Sequence, residues 1–194
     1  MNKGKTEEIE LKILESCARA TENAANMNRK LAKDSGEDNW SEYEATFVTM
    51  LYHELVQSGI DYWRISLENK PRTKDEKYED KKIDLWVEAG NELTYMIEAK
   101  LISYREKSKG LRRMNSMNGV KGDLDKLNGI IKNRSSIKGI AIGAYTGRSN
   151  VSLQQIKDKI EKDTKSYLSE KVKLIVSTPK ERDFVSVVNW KGDS

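Results

Sequence analysis

Between Ile83 and Leu101 the chain alternates apolar and polar residues in two runs, Ile83 to Glu88 (IDLWVE) and Leu93 to Leu101 (LTYMIEAKL), separated only by Ala89-Gly90-Asn91-Glu92. Period-two alternation marks a strand with one face buried, and a short glycine-bearing separation joins two such strands as a hairpin. The hairpin constrains everything around it, because its apolar faces need layers to cover them.

Helices of suitable pattern stand on both sides. From Thr6 to about Lys33, Ile9, Ile13, Cys17, Ala20, Ala24, Met27 and Leu31 recur at helical spacing, as one long helix or two short ones. Asp34 to Asn39 is a polar loop, Ser41 is an N-cap candidate, and a second helix from near Glu42 carries Phe47, Val48, Leu51 and Leu55 inward until Ser58-Gly59 ends it. Trp63, Ile65 and Leu67 then alternate as a strand, and the charged stretch Asn69 to Lys82 reads as a mobile loop. After the hairpin comes a basic segment, Ser103 to Lys121, and then a helix with Leu124, Leu127, Ile130 and Ile131 inward. Gly139 to Tyr145 (GIAIGAY) is a strand buried on both faces, Val151 to Leu168 a helix, and Val172 to Ser177 and Phe184 to Trp190 are strands. The sum is an α/β fold, a mixed central sheet flanked by helices.

The residues that break the apolar pattern point to chemistry. Alternation puts Thr94, Met96, Glu98 and Lys100 on one face of the second run, and Asp84, Trp86 and Glu88 on one face of the first. Folding about Asn91 sets Asp84 opposite Glu98, Trp86 opposite Met96 and Glu88 opposite Thr94. Directly opposed residues have Cβ atoms about 4.5–5.5 Å apart, so two carboxylates there repel unless a cation lies between them. A hard divalent ion such as Mg²⁺, which takes one or two carboxylates plus phosphate oxygens, is the natural occupant, and Lys100 would point at whatever that ion binds. Taken singly, Glu98 with Lys100 is an ordinary surface ion pair and Asp84 an ordinary strand-edge acid; their joint placement favours a site.

Composition narrows the alternatives. One cysteine, Cys17, excludes an internal disulfide, and with one histidine, His53, no zinc site of the usual Cys/His kind can form. His53 is expected to face away from Glu44 as a partly buried helix residue and not a catalyst. Residues 1–10 lack a basic start followed by an apolar run, and no window approaches the apolar length of a membrane span, so a cytoplasmic protein with no membrane partner is expected.

Asp84, then a hairpin, then Glu98-Ala99-Lys100 resembles the PD-(D/E)XK nuclease superfamily, apart from Ile83 standing where the family name has proline. The resemblance implies a restriction-endonuclease-like core over residues 40–194, with 1–39 as an N-terminal helical extension of unassigned role. It implies metal ligation by Asp84 and Glu98, a catalytic Lys100, and an auxiliary acid on the preceding helix. Glu44 is placed ahead of Glu42 and Glu54 for that acid by its spacing from Leu51 and Leu55. Glu68, at the end of the first strand, is a further candidate.

The segment leaving Lys100 holds Arg105, Lys107, Lys109, Arg112, Arg113 and Lys121 against Glu106, and a cationic loop there would meet nucleic-acid phosphates. Lys70, Arg72 and Lys74 are similar but diluted by neighbouring acids. The expected activity is that of a Mg²⁺-dependent DNA endonuclease of restriction, defence or repair type, with Mn²⁺ as a substitute ion and a homodimer favoured for cutting both strands. An RNA-cleaving nuclease or toxin of the same fold, and a nucleic-acid-binding module without turnover, are the competing readings.

Overall fold

The computed structural model describes the backbone of residues 3–35, 44–71, 76–90, 93–107, 110–115, 117–145 and 158–177 apart from 159 and 161; the side chains of 3–6, 28–35, 76, 103–118 and 145 lie outside that description. The Ser41 cap, the turn residue Asn91, Lys109 and the strand expected over Phe184 to Trp190 also lie outside the described residues.

Among the described residues the long helices are α1 (Lys3–Ser35), α2 (Glu44–Gln57) and α3 (Met117–Ile131). The strands are β1 (Ile65–Asn69), β2 (Ile83–Glu88), β3 (Thr94–Lys107), β4 (Gly110–Asn115), β5 (Ile137–Tyr145) and β6 (Val172–Ser177). The sheet runs β1-β2-β3-β5-β6, with β4 paired to the far part of β3. The first three strands form an antiparallel meander, while β3, β5 and β6 are parallel, so the sheet is mixed.

Sequence alternation assigns the faces. Tyr95, Ile97 and Ala99 of β3 pack with Leu85, Val87, Ile140, Ile142 and Ile175 under α1 and α2. Met96 and Ile102 pack with Ala141, Leu174 and Val176 under Val120, Leu124, Leu127 and Ile131 of α3. Because β5 is covered on both sides, its run is continuously apolar. Gly59, at φ +87, closes α2: its N–H donates to the Val56 carbonyl and that of Ile60 to the Leu55 carbonyl, satisfying acceptors the helix end would leave bare.

Helix α1 is a single continuous helix whose Ile13, Cys17, Ala20 and Ala24 enter the same core as α2. Two polar anchors fix it, one half-buried and one buried. Glu10 accepts from the Tyr95 hydroxyl at 3.0 Å, Lys138 at 2.9 Å and Lys173 at 2.7 Å, and Thr21 donates to Ser177 at 2.7 Å. Burial works against the Glu10 charge, but the two ammonium groups outweigh it and hold that carboxyl below its usual range.

Four local expectations need correction. Trp63 lies in a 3-10 turn, Tyr62–Arg64, and is 64% exposed; Leu67 is also exposed, because β1 is an edge strand that no layer covers there among the described residues. Asn69 to Lys82 is not wholly a loop of solvated charges: Tyr78 is buried, its ring over Gly129 and its hydroxyl donating to Asp125. Ser103 to Lys121 is not one long loop, since β3 continues to Lys107, turns back as β4, and α3 begins at Met117. Of the helix expected over Val151 to Leu168, Asp158, Ile160 and Lys162 to Thr164 are seen to be helical, and a 3-10 turn, Lys165–Tyr167, follows. Among the described residues, no helix is long and apolar enough to cross a membrane.

Candidate active site

The β2–β3 register runs from Glu88↔Thr94 through Trp86↔Met96 to Leu85↔Ile97. Its next step sets Asp84 against Glu98, as alternation required. Asp84 Oδ2 accepts the backbone N–H of Ala99 at 2.8 Å, which fixes the carboxylate between Glu98 and Lys100. One residue further, β2 ends at Ile83, so Lys100 has β5 beside it at Gly143 and no neighbour from β2. Glu44, in the first turn of α2 on the opposite face, reaches its ammonium across this open edge and forms a hydrogen-bonded ion pair with it.

Lys100 also depends on α3. Gly119 lies against the lysine stem: a Cβ there would be in ordinary van der Waals contact with Lys100 Cδ, at 3.4 Å. Burial disfavours the Lys100 charge. The Glu44 hydrogen bond and the charges of Asp123, Glu44 and Asp84 overcome that effect and raise its pKa above the ordinary lysine value. In this arrangement Lys100 is a fixed cation, suited to meeting negative charge and not to taking up a proton.

Glu98 is only 2% exposed and forms an ion pair with Lys126 of α3. Burial is the main force on its carboxyl, and the negative charge of Asp84 adds to it; Lys126 offsets part of the effect, and the pKa stands at about 8. Lys126 also donates to the Lys82 carbonyl at 3.0 Å, so it ties the approach to β2 to the middle of β3. Asp123, buried on the same helix, feels burial first, then attraction from Lys100 and Lys126 and repulsion from Asp84 and Glu44, and its pKa rises to about 6.

Asp123 and Lys126 were not anticipated from sequence. A signal for Asp123 is visible in retrospect: it falls within the inward stripe Val120, Asp123, Leu124, Leu127, where a carboxylate has no solvent to face. The site therefore holds Glu44, Asp84, Glu98 and Lys100 together with these two. Among the described residues, no three Asp, Glu, His or Cys side chains are grouped closely enough to hold a metal ion. Glu44 and Glu98 are instead held by Lys100 and Lys126.

The other candidates lie elsewhere. Glu68 is exposed, has φ +51 and pairs with Lys82 at 2.6 Å; Lys70 is engaged by Asp80 at 2.9 Å. Glu54 is taken up between α1 and α2 by Arg19 at 2.7 Å and Asn23 at 3.0 Å, which removes it from competition with Glu44. Glu42 lies outside the described residues, and His53 is exposed on α2. Trp86 is half-buried against the α3 core, with its indole N–H buried and accepted by no group among the described residues. Arg105, Lys107, Arg112 and Arg113 have strand positions in β3 and β4, and Lys121 is half-buried in α3. No family model, curated protein or solved structure matches this chain.

Proposed function

We propose that the chain is a Mg²⁺-dependent nuclease that hydrolyses phosphodiester bonds in DNA, built on a restriction-endonuclease-like core. The observation that carries the reading is the placement of Asp84, Glu98 and Lys100 on one sheet face, with Asp84 anchored to the Ala99 N–H between the other two. The element order, a helix bearing Glu44, an antiparallel meander, a helix and a parallel strand, agrees with that core.

The donor set suits a hard divalent ion. Glu98 is a buried carboxyl whose charge is opposed by burial and by Asp84, and a cation between the two would relieve both penalties. Asp84 and Glu98 would hold it, with Glu44 as an auxiliary ligand acting directly or through water. When bound, the ion supplies Lewis acidity to the scissile phosphate.

The protein's own groups carry the rest. Lys100, protonated at neutral pH, offsets negative charge that builds on the phosphorane-like transition state. Glu44 steers that ammonium. Lys126 keeps the Glu98 carboxyl over the Asp84 side of the face, and α3 shields this part of the site from water, which strengthens each of these interactions.

Supercoiled plasmid and a structured RNA, each incubated with the protein in Mg²⁺ or in EDTA, test the proposal beside Lys100→Ala. Plasmid nicking that needs Mg²⁺ and is lost in Lys100→Ala supports it. Cleavage surviving both EDTA and the substitution overturns the mechanism; cleavage of RNA alone overturns the substrate.

A further inference from the structure

The β3–β4 hairpin carries a property the rest of the molecule lacks. Within Ser103 to Asn115 stand Arg105, Lys107, Lys109, Arg112 and Arg113 against one acid, Glu106. That excess of four positive charges equals the formal net charge of the whole chain, +4, so everything outside the hairpin is balanced. Positive charge is thus concentrated on one two-stranded element.

Placement and register make that element an arm. β5 pairs β3 as far as Ile102↔Tyr145, and from Ser103 onward β3 pairs, among the described residues, with β4 alone. At about 3.3 Å per residue, Ser103 to Lys107 extends roughly 17 Å past the shared sheet. Both legs are rooted at the candidate site: β3 enters the hairpin directly after Lys100-Leu101-Ile102, and β4 leads into α3, whose Gly119 lies against Lys100. Arg105 stands directly opposite Arg112, and a register shift follows between Tyr104 and Arg105, the kind of irregularity that increases a ribbon's twist.

From this juxtaposition, a two-stranded ribbon whose described positions include Arg105, Lys107, Arg112 and Arg113 and which is rooted beside Lys100, we infer that the hairpin is a recognition arm that enters the major groove of B-form DNA. The inference rests on the nuclease reading and adds to it how the substrate is held. The groove of B-DNA, about 12 Å wide and 8.5 Å deep, admits a two-stranded ribbon, whereas the major groove of A-form RNA is too narrow and deep. The arm therefore selects DNA over RNA duplexes by shape, and its root delivers the backbone to the site.

Fluorescence anisotropy in EDTA, where no cleavage occurs, tests this with a short DNA duplex, the RNA duplex of the same sequence, and the DNA duplex carrying N7-methylguanine, which sets a methyl group and a positive charge in the major groove. The full chain is compared with Arg105→Gln/Arg112→Gln and with Arg105→Lys/Arg112→Lys, which keeps the charge and controls for damage to the fold. The arm predicts DNA bound at least about tenfold more tightly than RNA, weakened binding to the methylated duplex, and a salt dependence shallower by about two in the glutamine variant, with lysine restoring most of it. Equal binding of both duplexes, indifference to N7 methylation, or an unchanged salt slope in the glutamine variant overturns the inference. The last result would mean that the cations only keep the ribbon's edges from pairing with other chains. Failure of the nuclease reading shows separately, as a plasmid left intact in Mg²⁺ by a protein whose binding meets every expectation.

Discussion

Neutralising Glu98 should change how the fold responds to pH. Its carboxyl stands at about 8, against an ordinary 4.5, chiefly because of burial and then because of Asp84. Between those values the unfolded chain has lost this proton while the native protein keeps it, so unfolding releases a proton and stability falls as pH rises. A full proton corresponds to about 1.36 kcal/mol per pH unit. From pH 6 to pH 8, with the native carboxyl half ionised at the upper limit, the loss is roughly 2 kcal/mol. For a domain of this size that lowers Tm by about 5–8 °C. Asp123 acts in the same direction but mostly below pH 6, since its carboxyl stands at about 6. Thermal unfolding of the metal-free protein by circular dichroism should show this decline, and Glu98→Gln, which cannot ionise, should remove most of it. Equal slopes in the two proteins would refute the assignment of a protonated, buried Glu98.

Lys126→Ala strips the counter-charge from that carboxyl, and its cost by urea denaturation should grow by up to about 1.4 kcal/mol between pH 6, where Glu98 is protonated, and pH 9, where it is ionised. A cost independent of pH would contradict the pairing. In Gly129→Ala the new Cβ would lie 2.2 Å from Tyr78 Cε2, so the ring must leave α3. The substitution should destabilise by about 1–3 kcal/mol and speed proteolytic nicking of Asn69 to Lys82, and an unchanged digestion pattern would contradict that packing.

How far the fold was legible depended on how local its causes are. The β2–β3 hairpin, its register and the two faces of β3 follow from alternation around Gly90, and α2 ends at the glycine that its pattern required. Each is decided within a few residues. Trp63 misled because alternation reports a residue's parity and not whether any layer lies above it, and β1 is at the edge of the sheet. Tyr78 was hidden among charges, since its burial depends on a glycine more than forty residues later. β4 has little strand character of its own and forms because β3 continues past the shared sheet.

The candidate site divides in the same way. Asp84, Glu98 and Lys100 were legible because a hairpin brings them together, and Glu44 because helical spacing directs it to the same edge. Asp123 and Lys126 belong to α3, and their place opposite β3 is set by the crossover from β3 to β5, which no local pattern encodes. They alter the chemistry: two lysines, not one, neutralise the acids, and Lys100 is held as a cation.

The most direct test of the account is Mn²⁺ binding, followed by electron paramagnetic resonance at pH 8 in the full chain, Asp84→Asn and Glu98→Gln, without substrate. A site filled in the full chain and lost in both variants is the predicted result. Undiminished Mn²⁺ uptake by either variant would show that this pair of carboxylates does not hold the ion, and the proposed hydrolysis would lose its basis.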